Sequence, residues 1–196
     1  MMQRCDWVNN DQRYLDYHDH EWGKAEFDNQ KLFEQLCLEG QQAGLSWITV
    51  LKKRDAYRRA FHHFVPEKIA QMSDAHLDQL MQDPALIRHR GKLAAIIKNA
   101  QAYLTMQANG EDFSTFIWQF VDHQCQRNDV PNRASLPNQT ATSLALSRAL
   151  KQRGFVFVGP TICYAFMQSV GMVDDHLNHC FCKAELPPPK HSTKSA

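Results

Sequence analysis

Long apolar runs are missing from this 196-residue chain: nothing in it approaches the roughly 20 residues needed to cross a bilayer, so no membrane partner is expected. No signal peptide is expected either, because the opening MMQRCDWVNN places charge and polarity where an apolar stretch would be needed. The chain therefore reads as cytosolic. Net charge is nearly absent: 22 Lys and Arg against 21 Asp and Glu leave +1, so any nucleic-acid surface must be a local patch. Sustained period-two alternation is also lacking, the short Phe155-Val156-Phe157-Val158 apart, and this argues against a sheet protein. What is present is a 43% hydrophobic fraction, enough for one sizeable core, together with six Cys and ten His. In a reducing compartment those six cysteines point to burial or metal ligation rather than to disulfides.

Nearly every segment has a helical signature, and the fold class expected is all-α. Asp28 can cap a helix from Asn29 whose apolar face carries Leu32, Phe33, Leu36 and Cys37, with Gly40 and Gly44 interrupting it. Ser46 can cap WITVLKKR, Pro66 suits a first helical position, Ser73 can cap SDAHLDQLMQD, and Pro84 opens another turn. The stretch from Lys92 to Asn109 has the clearest apolar stripe and stops at Gly110. Asp112 can cap FSTFIWQFV, and Thr142 can cap a helix running to Arg153. Residues 128–139 read as a loop. The expected organisation is a helical domain over residues 1–184, in two lobes, and a disordered tail over 185–196, where PPPKHSTKSA has little to bury.

Two features carry chemistry. Cys5 and His18 stand near the start, and His176 and Cys180 near the end, four apart as on one face of a helical turn. Two thiolates and two imidazoles suit a closed, tetrahedral zinc site tying the two ends of the chain together. His179 and Cys182 keep the ligand choice open, and chance proximity is the competing explanation. The second feature is the segment from Leu150 to Val173: a helix stopping at Gly154, a short turn, then Pro160 opening TICYAFMQSVG. The amides around Val158 and Gly159 sit at a helix start where they can bind one phosphate; a plain packing corner is the alternative.

FVGPTICYAFMQSVGMVDDH resembles the helix-hairpin-helix of DNA repair glycosylases. RCDW, YHDHEWG, LFEQLCLEGQQAGLSWITVLKKR, IRHRGKLAAIIKNA and RGFVFVGPTICYAFMQSVGMVDDHLNHC, in that order, narrow the resemblance to the DNA-3-methyladenine glycosylase I family. It runs from Arg4 to about Cys182, leaving out the loop 128–139 and the tail. It implies a helix-hairpin-helix glycosylase fold and a structural Zn2+ held by Cys5, His18, His176 and Cys180, a zinc snap between the terminal segments. The implied partner is double-stranded DNA containing alkylated bases, and the implied state is a monomer.

The implied reaction is hydrolysis of the N-glycosidic bond of N3-methyladenine. Methylation at N3 makes the base cationic and its bond to the sugar weak, so little acid–base chemistry is required. The enzyme must extrude the nucleotide and hold a flat cation, for which aromatic faces and a carboxylate are suited. By resemblance Glu39 hydrogen-bonds the base edge, Tyr17 and Trp47 stack on it, and Trp22 and Tyr14 complete the wall. Gly44 and Leu45, before Trp47, are candidates for the contact that fills the gap left in the duplex. Lys52, Lys53, Arg54, Arg58, Arg59, Arg88, Arg90 and Lys92 form basic clusters that could face phosphates or simply solvent.

Asp174 stands where glycosylases of the wider superfamily place a catalytic aspartate. It could stabilise an oxocarbenium charge or, more blandly, cap a short helix bearing His176 and Cys180. The second hairpin helix has Cys163 where bifunctional members carry a Schiff-base lysine, which implies a monofunctional enzyme. Two other functions compete: a non-catalytic binder of damaged DNA, which would not need Glu39, Tyr17 and Trp47, and a zinc hydrolase, which would need an open metal position.

Overall fold

Caps written into the sequence set most helix boundaries. The computed structural model describes residues 3–185, so the tail expected from residue 185 onward lies almost wholly outside the described residues. Helix α1 (Gln12–His20) starts at Asp11, whose side chain accepts from the Arg13 N–H. Helix α2 (Asn29–Gln42) starts at Asp28, which accepts from Lys31. It runs straight through Gly40, contrary to the expected interruption. A side chain at Gly40 would press on Phe157 at 3.3 Å, so this glycine serves close helix-to-turn packing rather than punctuation. Gly44 does end the segment, with φ +75°.

Helix α3 (Trp47–Ala60) follows Ser46, whose hydroxyl pairs with Thr49 Oγ1 rather than with a backbone amide. Short helices α4 (Pro66–Ile69) and α5 (Asp74–Leu80) lead to the long α6 (Arg90–Ala108), and Asp112 caps α7 (Phe113–Trp118). Helix α8 (Ala141–Gln152) is capped by Thr140, not Thr142. Thr140 and Ser143 form a reciprocal capping box, which satisfies two amides where Thr142 would satisfy one. A turn joins α8 to α9 (Pro160–Ser169), and α10 (Phe181–Glu185) closes the described chain.

The packing is helix on helix. Helix α9 lies against α8 and α2, and α2 also packs on α3 and α6. The buried apolar residues make one continuous cluster from Cys5 to Cys182. Trp118 is fully buried, with its indole N–H donating to the Glu26 carbonyl at 2.8 Å. A two-residue parallel ladder, β1 (Gln126–Arg127) on β2 (Val173–Asp174), was not expected. It staples the start of the 128–139 loop to the segment preceding His176. Two residues per strand are too few for periodicity to register. No helix among the described residues is long and apolar enough to cross a membrane.

Candidate active site

Four elements converge on a cavity of about 230 Å³. Helix α1 contributes Tyr14 and Tyr17, α2 contributes Glu39 and Gln42, α3 contributes Trp47 at its first position, and α9 contributes Ala165 and Gln168. Trp7 and Trp22 flank α1, and Arg133 and Leu136 reach in from the 128–139 loop. Tyr17 and Trp47 face each other with ring centroids 5.4 Å apart; Trp7 makes edge or tilted contacts with Tyr14 and Trp22 at 5.1 and 5.0 Å. Glu39 is only 3% exposed, and its Oε1 accepts from Gln35 Nε2 at 2.9 Å, one helical turn back. Burial pushes the Glu39 carboxyl up to about 7, while hydrogen bonds from Gln35 and Ser169 act the other way. The Trp47 indole N–H is buried without a partner. A cavity walled by four or five aromatic rings and floored by a titrating carboxylate is suited to a flat, electron-poor ring.

A larger cavity, about 340 Å³, lies on the other side of Tyr17 and Gln35. Its walls carry the Arg54–Glu21, Arg58–Glu34 and Lys31–Glu26 ion pairs.

The turn before Trp47 is held from below. Lys92 is 6% exposed, and its ammonium donates to the carbonyls of Gln41 at 2.9 Å and Ala43 at 2.6 Å. It thereby caps the C-terminus of α2 where the helix dipole is negative. The Gln41 amide bonds the Lys92 carbonyl and accepts from the Tyr57 hydroxyl. Above this brace Gly44 takes a positive φ and Leu45 stands 41% exposed.

His18, His176 and Cys180 come together, all buried, and Cys5 is buried beside Cys180, outside the group of donor atoms that lie closest to one another. Each imidazole is oriented the same way. His18 Nδ1 lies 2.8 Å from Asp19, which Arg4 grips with two nitrogens; His176 Nδ1 lies 2.9 Å from Asp174, which Arg127 holds at 3.0 Å. Each Arg–Asp–His relay leaves Nε2 as the free donor. His18 Nε2 is 3.4 Å from Cys180 Sγ, and His176 Nε2 is buried with no partner among the described residues. Such an orphaned imidazole nitrogen beside thiols fits a metal.

The donor atoms of His18, His176, Cys180 and Cys182 all lie within 4.8 Å of one another. Cys182, however, sits on the Nδ1 edge of His18, at 3.9 Å, where Asp19 already holds the ring. The Cys5 sulfur accepts the Leu177 N–H at 3.3 Å and reaches Cys180. His176 and Cys180 are not on a helical turn as their spacing suggested. Residues 175–180 form an irregular turn that follows β2, and α10 begins only at Phe181.

At the α8–α9 turn, Asn99 bonds both the N–H and the carbonyl of Val156, and Ser147 and Cys163 both donate to the Val158 carbonyl. Gly159 has an ordinary φ of −62°, and a side chain there would meet nothing within 4 Å. The amides at the start of α9 have no side-chain cap.

The family model for methyladenine glycosylases matches residues 7–183. A DNA-3-methyladenine glycosylase from Haemophilus influenzae is 64% identical over 183 residues, covering 93% of this chain and 99% of that protein. A crystal structure of 3-methyladenine DNA glycosylase I superposes with a TM-score of 0.91 at 57% identity, covering 92% of this chain and 99% of the other. A variant of such an enzyme in complex with 3-methyladenine gives a TM-score of 0.88 at 42% identity, over 97% of this chain and all of the other. The chain belongs to the methyladenine glycosylase family. It is accordingly an enzyme, a hydrolase of N-glycosyl bonds.

Within this methyladenine glycosylase, Glu39, Tyr17, Trp47, Trp22 and Tyr14 all line one cavity. Gly44 and Leu45 line a shallow trough that continues from it to Thr161 and Ile162 in the first turn of α9. Val158 and Gly159 lie just before that turn. Asp174 is separate: it is fully buried, lines no part of the cavity, and has its oxygens engaged by His176 and Arg127. The basic face expected from LKKRDAYRRAF and IRHRGK is largely consumed internally. Lys52 pairs with Asp11, Lys53 bonds the Pro84 carbonyl, Arg54 and Arg58 hold Glu21 and Glu34, and Arg90 pairs with Asp78. The sequence does not single out Trp7, Gln42, Gln168, Arg133 or Leu136. Gln42, three residues after Glu39, is within reach of helical spacing; Arg133 and Leu136 have no such signal, since only the loop path brings them in.

Proposed function

We propose that this enzyme excises N3-methyladenine from double-stranded DNA by flipping the damaged nucleotide into the aromatic cavity and hydrolysing its N-glycosidic bond. The observation that carries this is Glu39: a buried carboxylate with a titration point near 7, walled by Tyr17, Trp47, Trp22, Tyr14 and Trp7. A cationic base entering that cavity compensates the desolvated carboxylate, and stacking adds attraction that a neutral base matches less well, about 1–2 kcal/mol per desolvated face. Because the bond to a cationic base is already weak, holding the base in place suffices and no strong general acid is needed. Asp174, occupied by Arg127 and His176, then serves orientation of His176 rather than chemistry. Cys163, buried against the Val158 carbonyl, leaves no amine for sugar attack, which supports a monofunctional enzyme that leaves an abasic site.

The remaining roles follow from position. The α8–α9 pair acts as a helix-hairpin-helix, with the amides near Gly159 taking a backbone phosphate. Leu45, exposed on its braced turn, enters the gap left by the flipped nucleotide. Zn2+ would be held by His18, His176, Cys180 and Cys5, with Cys182 lying on the Asp19 side of His18. Bound there, the metal is structural, since four protein ligands leave no position for water.

The test is to incubate the purified protein with methylated duplex DNA and separate the released bases by chromatography. Selective release of 3-methyladenine is expected. Release of 7-methylguanine as well would overturn the narrow pocket, and no release from folded, zinc-loaded protein would overturn the catalytic function in favour of a binder of damaged DNA.

A further inference from the structure

The 128–139 loop contributes Arg133 and Leu136 to the cavity and lies outside the motifs that carry the family resemblance. Arg133 stands at the cavity mouth, exposed, and among the described residues no hydrogen bond or ion pair engages its guanidinium. It contrasts with Arg54, Arg58 and Arg90, each held by a carboxylate. Arg59 and Arg88 line no part of the cavity.

The loop presenting Arg133 is firmly tied. Asn178 bonds the Val130 N–H through its side chain and the Val130 carbonyl through its backbone, and also donates to Asp129. Asn128 bonds Asp175, and Asn132 caps the turn 133–135. The backbone that carries Arg133 is thus placed by the fold. Arg133 is near enough to Tyr14 for its charge to oppose the upward effect of burial on that phenol.

Arg133 brings a cation to the loop side of a cavity proposed to take a cationic base, and among the described residues no carboxylate pairs with it as Glu21 and Glu34 pair with Arg54 and Arg58. The trough past Leu45 and Gly44 to Thr161 gives the path of the strand on one side of the cavity; Arg133 lies among the residues from the loop. The nucleic-acid group that must pass the mouth when a base is turned in is the phosphodiester of that nucleotide. We infer that Arg133 binds a backbone phosphate next to the flipped nucleotide, a second anchor in addition to the amides at the start of α9. The inference rests on the glycosylase function proposed above.

The test measures binding rather than turnover. The zinc-loaded protein is titrated with duplex carrying a stable abasic-site analogue at several salt concentrations, and separately with free 3-methyladenine, followed by tryptophan fluorescence. Arg133→Ala should weaken duplex binding about three- to tenfold at low salt and reduce the slope of log K against log salt by about 0.9, one phosphate's share. Arg133→Lys should keep the slope. Affinity for the free base should not fall. An unchanged slope and affinity in Arg133→Ala would overturn the contact. A parallel loss of free-base affinity would also overturn it, by placing the effect inside the cavity. Failure of the wild type to release any base would count against the glycosylase function alone, since the duplex titration still reads Arg133.

Discussion

The base cavity and the Cys/His cluster are neighbours built on opposite rules. In the cluster nearly every polar group is braced twice: Arg4 holds Asp19, which holds His18, and Arg127 holds Asp174, which holds His176. Among the described residues His176 Nε2, one of the atoms that would face a metal, is left without a partner. In the cavity, a carboxylate is buried at a cost and an indole N–H goes unpaired. The first arrangement gains stability from completeness; the second holds interactions open for a ligand that is absent most of the time. They touch through Trp22, which lines the cavity and meets His176 edge-on at 4.6 Å, and through Gly23, whose positive φ and close approach to His176 exclude a side chain. The cluster therefore acts as the foundation of one cavity wall.

The sharpest way to separate the two regions is to remove the foundation. Cys180→Ser should lower the thermal midpoint by more than about 10 °C, because metal-binding free energy is folding free energy at such a site. A chelator applied to the wild type should do the same, measured by calorimetry. At temperatures where the variant remains folded, 3-methyladenine should still quench tryptophan fluorescence. A variant as stable as wild type would sink the zinc assignment.

Glu39→Gln should do the reverse. Base release should fall on the order of a hundredfold, since a hydrogen bond to an ionised group and its attraction for a cation are both lost. Stability at pH 8 should rise. Folded Glu39 titrates near 7 and an unfolded glutamate near 4.5, so between those values the folded state holds the extra proton. The ionised, buried form is a penalty that is fully present above about pH 7 and absent below about pH 4.5, on the order of 3 kcal/mol. Urea unfolding of both proteins at pH 8 and pH 5 checks this: the advantage of the variant should shrink at the lower pH. An equal gap at both would mean that Glu39 is not penalised by burial. In the wild type, kcat/KM should decline as pH falls through about 7, as the carboxylate gains its proton.

Asp174→Asn tests on which side of the divide Asp174 belongs. It keeps the shape but removes the charge that faces Arg127 and His176. Stability should drop by about 3 kcal/mol, as when a buried pair loses one partner. Base release by the folded, zinc-loaded variant should stay within about threefold of wild type. A loss beyond about a hundredfold with zinc and fold intact would return Asp174 to catalysis.

These contrasts also mark what was legible beforehand. Helices and caps could be read because each cap is a local event, as with Asp28, Ser73 and Asp112. Thr140 was missed for Thr142 because a capping box depends on the residue three further on, Ser143. The family resemblance pointed to Glu39, Tyr17, Trp47, Trp22 and Tyr14 and not to Trp7, Gln42, Gln168, Arg133 or Leu136. The 230 Å³ space between them is a product of four elements that no single segment encodes. Charge is visible in sequence and its partners are not: Lys92 reads as one of a basic cluster facing phosphates or solvent and is a buried helix cap. The cysteine choice stayed open for the same reason, since Cys180 and Cys182 differ only in which edge of His18 they meet.

Gln35 gives the smallest and most specific test. It belongs to neither region wholly: its amide fixes Glu39 Oε1 on the cavity side, while its side chain also faces the second, ion-paired cavity. It does not touch the base site directly, so it is a positioning residue. Gln35→Leu removes a donor that favours the ionised carboxylate without changing side-chain bulk greatly. The decline of kcat/KM at low pH should then move upward by about one pH unit, the equivalent of one hydrogen bond to a charged group. At pH 9, where Glu39 is ionised either way, the variant should recover most of the wild-type rate. A uniform loss at every pH would mean that Gln35 merely supports packing, and an unmoved profile would leave Ser169 as the group that holds Glu39 ionised.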